Sequence, residues 1–474
     1  MHRTSRRALP ALGLLATLAL AACGSGDAAP GGDATTTPAA DAATEGNEPV
    51  EVATLDPRVV LTYDGGVMTL DTGSGEILDD VEMDGFLRLN PAGDGRHVLV
   101  STTEGFHAYD TGLEPQGHGD HYHYYASAPS LTDTVLAADT PGHVVTHDGV
   151  TALFADGTGE VQLIDPLELV DGAPQAATWT APDAHHGVAV PLADGAMLVS
   201  VGTEDARTGA ALLDADGEEL ATGECPGLHG EAVAGGGAVV VGCEDGPLVL
   251  RDGEFHKVPV EDAYARSGNL AGSSESAVVL GDYKVDEDAE LERPERVALI
   301  DTRADSVRLV DLGASYTFRS LARGPYGEAL VLTTDGTLRA IDPDSGEQMG
   351  QVTVVQPWEE PTEWQEPRPA VVSVDGVAYV TEPAASALHA VDLSTGEVVR
   401  TYDLPHVPNE LSVATGFPPA EPSAPADEHG HDEEGHDEHG HDEQGHDEEG
   451  HDEHGHDEQG HDEEGHDDED GHGH

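Results

Sequence analysis

Basic residues are scarce in this 474-residue chain: 20 Lys and Arg stand against 93 Asp and Glu, a formal net charge of −73. Such a chain cannot wrap phosphate backbones, because nucleic-acid affinity comes largely from cations that displace counterions. It is equally ill suited to electrostatic docking on anionic lipid. Residues 427–474 hold 23 of the acids and no base, but the remainder is still strongly negative. Aromatics make up only 4%, and there are only 3 Cys. After residue 22 no stretch approaches the roughly 20 apolar residues that a membrane helix needs. What is plentiful is Gly (58) and Pro (30), with much Val and Thr, a composition of many short strands and turns. The expectation is one all-β domain over residues 51–416, large enough to bury a substantial core. Its acidic field should collect cations.

The flanks read differently. Arg3, Arg6 and Arg7 precede the apolar run Ala8–Ala22, which ends in Leu20-Ala21-Ala22-Cys23. A basic start, a short apolar core and small residues before a cut mark an export signal over residues 1–22. The Leu-Ala-Ala-Cys order resembles the bacterial lipobox, in which the Cys receives lipid and becomes the mature N-terminus. Cys23 is thus the expected lipidation site, residues 23–50 a Gly/Ala/Asp/Thr/Pro-rich tether, and the outer face of the bacterial cell membrane the expected location. Membrane attachment would be through that lipid alone. Export also bears on Cys225 and Cys243, an even pair in an oxidising compartment, which favours a disulfide. A thiolate metal pair is the alternative, less suited because the spacing is not that of a Cys-x-x-Cys knuckle.

An apolar stretch ending in Asp, followed by a polar turn, recurs at Asp71, Asp110, Asp165, Asp214, Asp252, Asp301, Asp342 and Asp392. Successive gaps average about 46 residues, within the range of four-stranded propeller blades. Asp followed by Ser, Thr and Gly suits a tight turn, since Asp bonds its own backbone. Near-continuous apolar runs precede each Asp, for example Arg96–Ser101, Ala329–Leu332 and Val377–Val380, as expected of strands covered on both faces. The chain opens near Val59 with three strands of a blade and ends with a spare strand near Asn409–Ala414. The fold expected is a β-propeller, eight blades with seven as the fallback, closed by pairing the last strand with the first blade.

Of the 27 His, 13 lie in the tail and 14 elsewhere. His143, His186 and His229 are spaced 43 and 43 residues apart, each at the start of a comparable segment. One blade apart at one phase means the same corner of three consecutive blades, so these imidazoles should converge on the central channel. The same phase elsewhere gives Leu87, Gly268-Asn269, Phe318-Arg319 and Arg368, a cationic or apolar remainder of the ring. The 55-residue gap before Asp165 contains the insert His118-Gly-Asp-His121-Tyr-His123, expected to join blades two and three beside His143. In extended backbone His121 and His123 share a face. Imidazole is the commonest metal-binding side chain, and six such His exceed the four ligands of Zn(II).

The tail, residues 417–474, repeats Gly-His-Asp-[Glu/Asp]-x with period five, placing His431, His436, His441, His446, His451, His456, His461 and His466. His429, His439, His454, His472 and His474 are additional. With no apolar residue after Ala426 the tail cannot bury surface and is expected to be disordered. Its imidazole and carboxylate groups suit weak sites for Zn(II) and its neighbours Ni(II) and Cu(II).

Cys225-Pro-Gly-Leu-His229-Gly-Glu-Ala, His185-His186-Gly-Val-Ala-Val-Pro-Leu, Gly142-His143-Val-Val and the His-rich loop at 118–123 together resemble the AztD type of zinc metallochaperone, over roughly residues 57–415. The Cys-Pro-x-Leu-His-Gly-Glu string is the most specific part. The resemblance implies an exported β-propeller that binds Zn(II) and hands it to the solute-binding protein of a zinc ABC importer. It implies His143, His186, His229 and the 118–123 loop as ligands, and a Cys225–Cys243 disulfide steadying the His229 loop. The lipid anchor and the long tail depart from that pattern. Two other classes compete. One is a metal-dependent, lactonase-like hydrolase, with Glu231 or Asp120 as base, although no nucleophile elbow is present. The other is a non-enzymatic protein that only stores or buffers zinc.

Overall fold

The computed structural model describes residues 48–119 and 121–419; the signal segment, Cys23, the linker before residue 48 and the tail beyond 419 lie outside them. Among the described residues the strands form eight four-stranded antiparallel sheets and one three-stranded sheet. In chain order the first strands of sheets 2 to 8 are Arg88–Pro91, Pro141–His147, Ala189–Pro191, Glu231–Val233, Leu270–Ala271, Leu321–Arg323 and Val371–Val374. Sheet 1 is built from Arg58–Tyr63, Gly66–Asp71 and Ile77–Glu82, and its remaining strand is Leu411–Ala414 from the far end of the chain. Val59 pairs with Val413 and Leu61 with Leu411.

Each repeated Asp lies at the end of the third strand of its sheet, or one residue beyond it. The carboxylate then holds the turn: Asp342 accepts from the Ser345 amide and hydroxyl, and Asp392 from the Ser394 hydroxyl and Thr395 amide. These bonds hold both carboxyls below the usual carboxylate range. The Asp signature in the sequence is therefore a turn device.

The second strands are largely buried, as their apolar runs require; Val201 in Met197–Gly202 is exposed, whereas His97–Ser101 and Ala329–Leu332 have no exposed residue. Apolar clusters fill the spaces between successive sheets. Leu99 and Phe106 of sheet 2 meet Leu153 of sheet 3, and Val190 and Leu198 of sheet 4 meet Val239 and Val241 of sheet 5. Val59, Met68 and Leu70 of sheet 1 meet Tyr379 and Leu388 of sheet 8. The first strands of sheets 2 and 3, 3 and 4, 5 and 6, 6 and 7, and 7 and 8 touch, and Leu411–Ala414 touches both Arg88–Pro91 and Val371–Val374.

The His-rich insert lies elsewhere than expected. It is a hairpin, Leu113–His118 and His121–Ala126, joined by Val50–Val52 into the three-stranded sheet. The hairpin leaves sheet 2 between its third strand, Gly105–Asp110, and its fourth, Ser130–Ala137, and so does not connect sheets 2 and 3. Asp110 pairs with both His97 and Ser130, at the end where the first strand of sheet 2 finishes. Thr151 Oγ1 donates to Ala92 O at that same finishing end. The hairpin thus springs from the end of the sheet opposite to the strand starts.

Candidate metal site

His143 is the third residue of its strand, His186 lies three residues before Ala189, and His229 two before Glu231. All three sit where the first strands of sheets 3, 4 and 5 begin. Their ring centroids are 5.0, 5.3 and 5.2 Å apart. One nitrogen from each can be chosen so that all lie within 4.8 Å of one another. Among the described residues this is the only such group of three or more His, Cys, Asp or Glu.

Each ring is pinned at Nδ1. His143 Nδ1 lies 3.1 Å from the Glu231 carboxylate, His186 Nδ1 2.6 Å from Asp156, and His229 Nδ1 2.6 Å from the Gly268 carbonyl. An acceptor at Nδ1 fixes the tautomer with the proton there and leaves Nε2 as the free lone pair. The Nε2 atoms of His143 and His186 are 3.3 Å apart. Two nitrogens at the usual Zn–N distance of about 2.0–2.1 Å in a tetrahedral shell would be separated by roughly the same amount. The donor set and its spacing fit a divalent ion of zinc's kind, with room for a fourth ligand.

Local sequence serves this approach. A Cβ on Gly142 would collide with the Asp156 carboxylate, and one on Gly187 with the Phe154 ring, so the residue beside each ligand is small by necessity. The Cys225–Cys243 disulfide is present and buried. It ties the His229 loop to the adjoining strand end, where His229 N donates to Gly242 O and Gly242 N to Gly230 O.

The electrostatics separate the three rings. Burial works against protonation of His143, but the Glu231 carboxylate, by charge and hydrogen bond, raises it above the ordinary imidazole value. Burial and the neighbouring His143 push His229 down to about 3. A site with one ring this resistant to a proton accepts a metal cation through a neutral lone pair instead.

The hairpin brings His118, His121 and His123 together, with ring centroids 5.4, 6.0 and 5.1 Å apart. His121 and His123 share a face, as the extended backbone requires. His118 pairs across the ladder with His121, and His123 Nδ1 is 2.9 Å from Glu51. These three do not join the strand-start group; the six His fall into two places. The tail His lie outside the described residues. Asp156 escaped the sequence reading because Ala155-Asp156-Gly157 looks like any turn. Glu231 was visible only as a base for the hydrolase alternative, although it stands inside the His-Gly-Glu string.

No protein-family model matches the chain. It is 29% identical over 296 residues to the zinc chaperone AztD of Citrobacter koseri, spanning 60% of this chain and 68% of that protein. The crystal structure of Citrobacter koseri AztD superposes with a TM-score of 0.67 at 25% identity, covering 78% of this chain and 100% of that one. Its apo structure gives 0.66 at 24% identity, over 76% and 98%. The resemblance carried by the His and Cys strings therefore extends through sequence and fold alike: the chain is a propeller-like all-β protein similar to AztD.

Proposed function

We propose that this protein is a non-enzymatic, extracytoplasmic zinc carrier. It holds Zn(II) on His143, His186 and His229 and passes the ion to the solute-binding protein of a zinc ABC importer. The observation that carries this reading is the convergence of three Nδ1-pinned imidazoles from three consecutive sheets. In the same reading the eight sheets are the blades of a closed eight-bladed propeller. Cys23 bears the lipid that anchors the chain, and the His-rich tail and hairpin gather zinc at weaker sites. Three protein ligands leave one coordination position open, so an acceptor's donor enters before the last imidazole leaves. Ligand-by-ligand exchange avoids the slow free dissociation that a tight site imposes.

The test mixes zinc-loaded protein with an apo solute-binding protein from a zinc importer and compares the transfer rate with loss to a small chelator. Transfer faster than chelator capture supports a carrier. Equal rates would reduce the protein to a zinc store, and hydrolysis of an ester or lactone panel by the zinc-loaded form would favour an enzyme.

A further inference from the structure

The phase that places His at the starts of the first strands in sheets 3, 4 and 5 places other residues at the remaining starts. Arg88 opens the first strand of sheet 2, Phe318-Arg319 precede that of sheet 7, and Asn409-Glu410 precede Leu411–Ala414. Arg88, Phe318, Arg319 and Glu410 line a cavity of about 230 Å³ whose apolar wall includes Leu321, Val371 and Leu411. Its charge is unusual in a chain this acidic. Glu410 Oε1 is 3.3 Å from Arg88 Nε and 2.8 Å from an Arg319 terminal nitrogen, so one carboxylate answers two guanidinium groups. Arg368 nearby is matched by its own partner, Glu360, at 3.1 Å. One positive charge is left over.

Arg319 carries the second sign of a built site. Its side chain is only 7% exposed. It donates to Asn409 O, Asn409 Oδ1 and Glu410 Oε1, three bonds from five N–H groups, and its buried Nε has no acceptor among the described residues. Burial draws this guanidinium down to about 10, which keeps it charged at neutral pH. A buried donor without an acceptor is costly. The Arg88 side chain, which also lines the cavity, is half exposed. The Phe318 ring lies against Arg319 and Arg368, 5.0–5.1 Å from their guanidinium carbons, and gives the cavity a flat apolar side.

We infer that this cavity is a binding site for a carboxylate monoanion bearing a short apolar body, seated against Arg88 beside the Arg319–Glu410 pair. A planar carboxylate matches the guanidinium fork. A phosphate dianion is disfavoured, because Glu410 already occupies part of the cationic rim and one net positive charge remains. The volume admits a ligand of roughly eight heavy atoms, at a water's share of liquid volume of about 30 Å³. A free small acid and a Glu side chain of another protein both supply such a carboxylate; the chemistry is the same.

Calorimetric titration of the metal-stripped full chain with butyrate, with its neutral isostere butyramide, and with the capped peptide Gly-Glu-Gly tests this. Saturable binding of butyrate or the peptide, without binding of butyramide, is the expected result. Butyrate alone would identify a small-acid site, and the peptide alone a site for a protein side chain. Arg88→Gln, a change at a half-exposed residue, should weaken binding at least fivefold with an unchanged melting curve. His186→Ala should leave it unchanged. Butyramide binding as tightly as butyrate, insensitivity to Arg88→Gln, or loss in His186→Ala would each overturn the inference, as would absence of binding by both carboxylates.

Discussion

Two clusters of three histidines stand on this molecule with nearly the same ring separations, about 5 to 6 Å in both. In the hairpin the three come from six consecutive residues and meet because a tight two-stranded ladder leaves them no choice. At the strand starts they come from three sheets, and each ring is held from behind by a carboxylate or carbonyl. The hairpin His118 and His121 are exposed, whereas His143 and His229 are partly buried. Proximity is common to both; at the strand starts all three rings are also held at Nδ1. Affinity for a metal depends on what has been fixed before the ion arrives, because ordering a side chain costs up to about 2 kcal/mol of rotamer freedom.

The widest separation between the clusters should come from removing ligands. Replacing His143, His186 or His229 singly by Ala should weaken the tightest zinc site more than tenfold, with little change in the melting temperature of the metal-free form. Competition titration against a fluorescent chelator reads this directly, and tight binding that survives the triple substitution would refute the assignment. Removing the groups behind the ligands should cost less. Glu231→Gln or Asp156→Asn should weaken zinc about tenfold, the lower end of what such supporting partners contribute at metal sites. The hairpin predicts the reverse pattern: His118, His121 and His123 changed together to Ala should remove weakly held ions and leave the tightest constant within about twofold.

Proton competition sharpens the contrast. A ligand His must be neutral, so zinc affinity falls as pH drops through the value at which the metal-free ring gains its proton. His143 is raised above the ordinary imidazole value by Glu231, so the fall should begin at a higher pH than for a free imidazole. In Glu231→Gln that onset should move down, toward more acidic pH, since the charge that favours the imidazolium is gone. His229, pushed to about 3, contributes no proton competition above that range. An affinity profile for Glu231→Gln that coincides with that of the unaltered protein would remove Glu231 from the account. The smallest expected effect is deletion of residues 427–474, which should lower the number of ions bound and spare the tight site.

Much of this was legible before any coordinates. Asp71 through Asp392 marked the sheets because a turn needs an Asp and the strand before it needs apolar residues, both local demands. The 43-residue spacing of His143, His186 and His229 was legible because position within a repeat maps onto position within a sheet. The insert was not. A gap stretched to 55 residues says that a segment has been added but not between which strands, and the addition fell after Gly105–Asp110. Asp156 was not legible either, because an Asp that closes a turn and an Asp that orients a ligand are spelled alike.

The pairing of Arg58–Tyr63 with Leu411–Ala414 has a consequence for how the chain is made. Val60 waits for Ser412 and Leu61 for Leu411, partners 352 and 350 positions apart in the chain. Until almost the whole domain has been synthesised, sheet 1 has three strands and an open edge, the arrangement most prone to pair with a neighbour's strand. Sheets 2 to 8 draw every strand from one continuous stretch and face no such delay. Completion of the fold is therefore a late, long-range event, slow by the entropy of closing so large a loop. A ribosome stalled short of Leu411 leaves seven finished sheets and one edge in search of a partner.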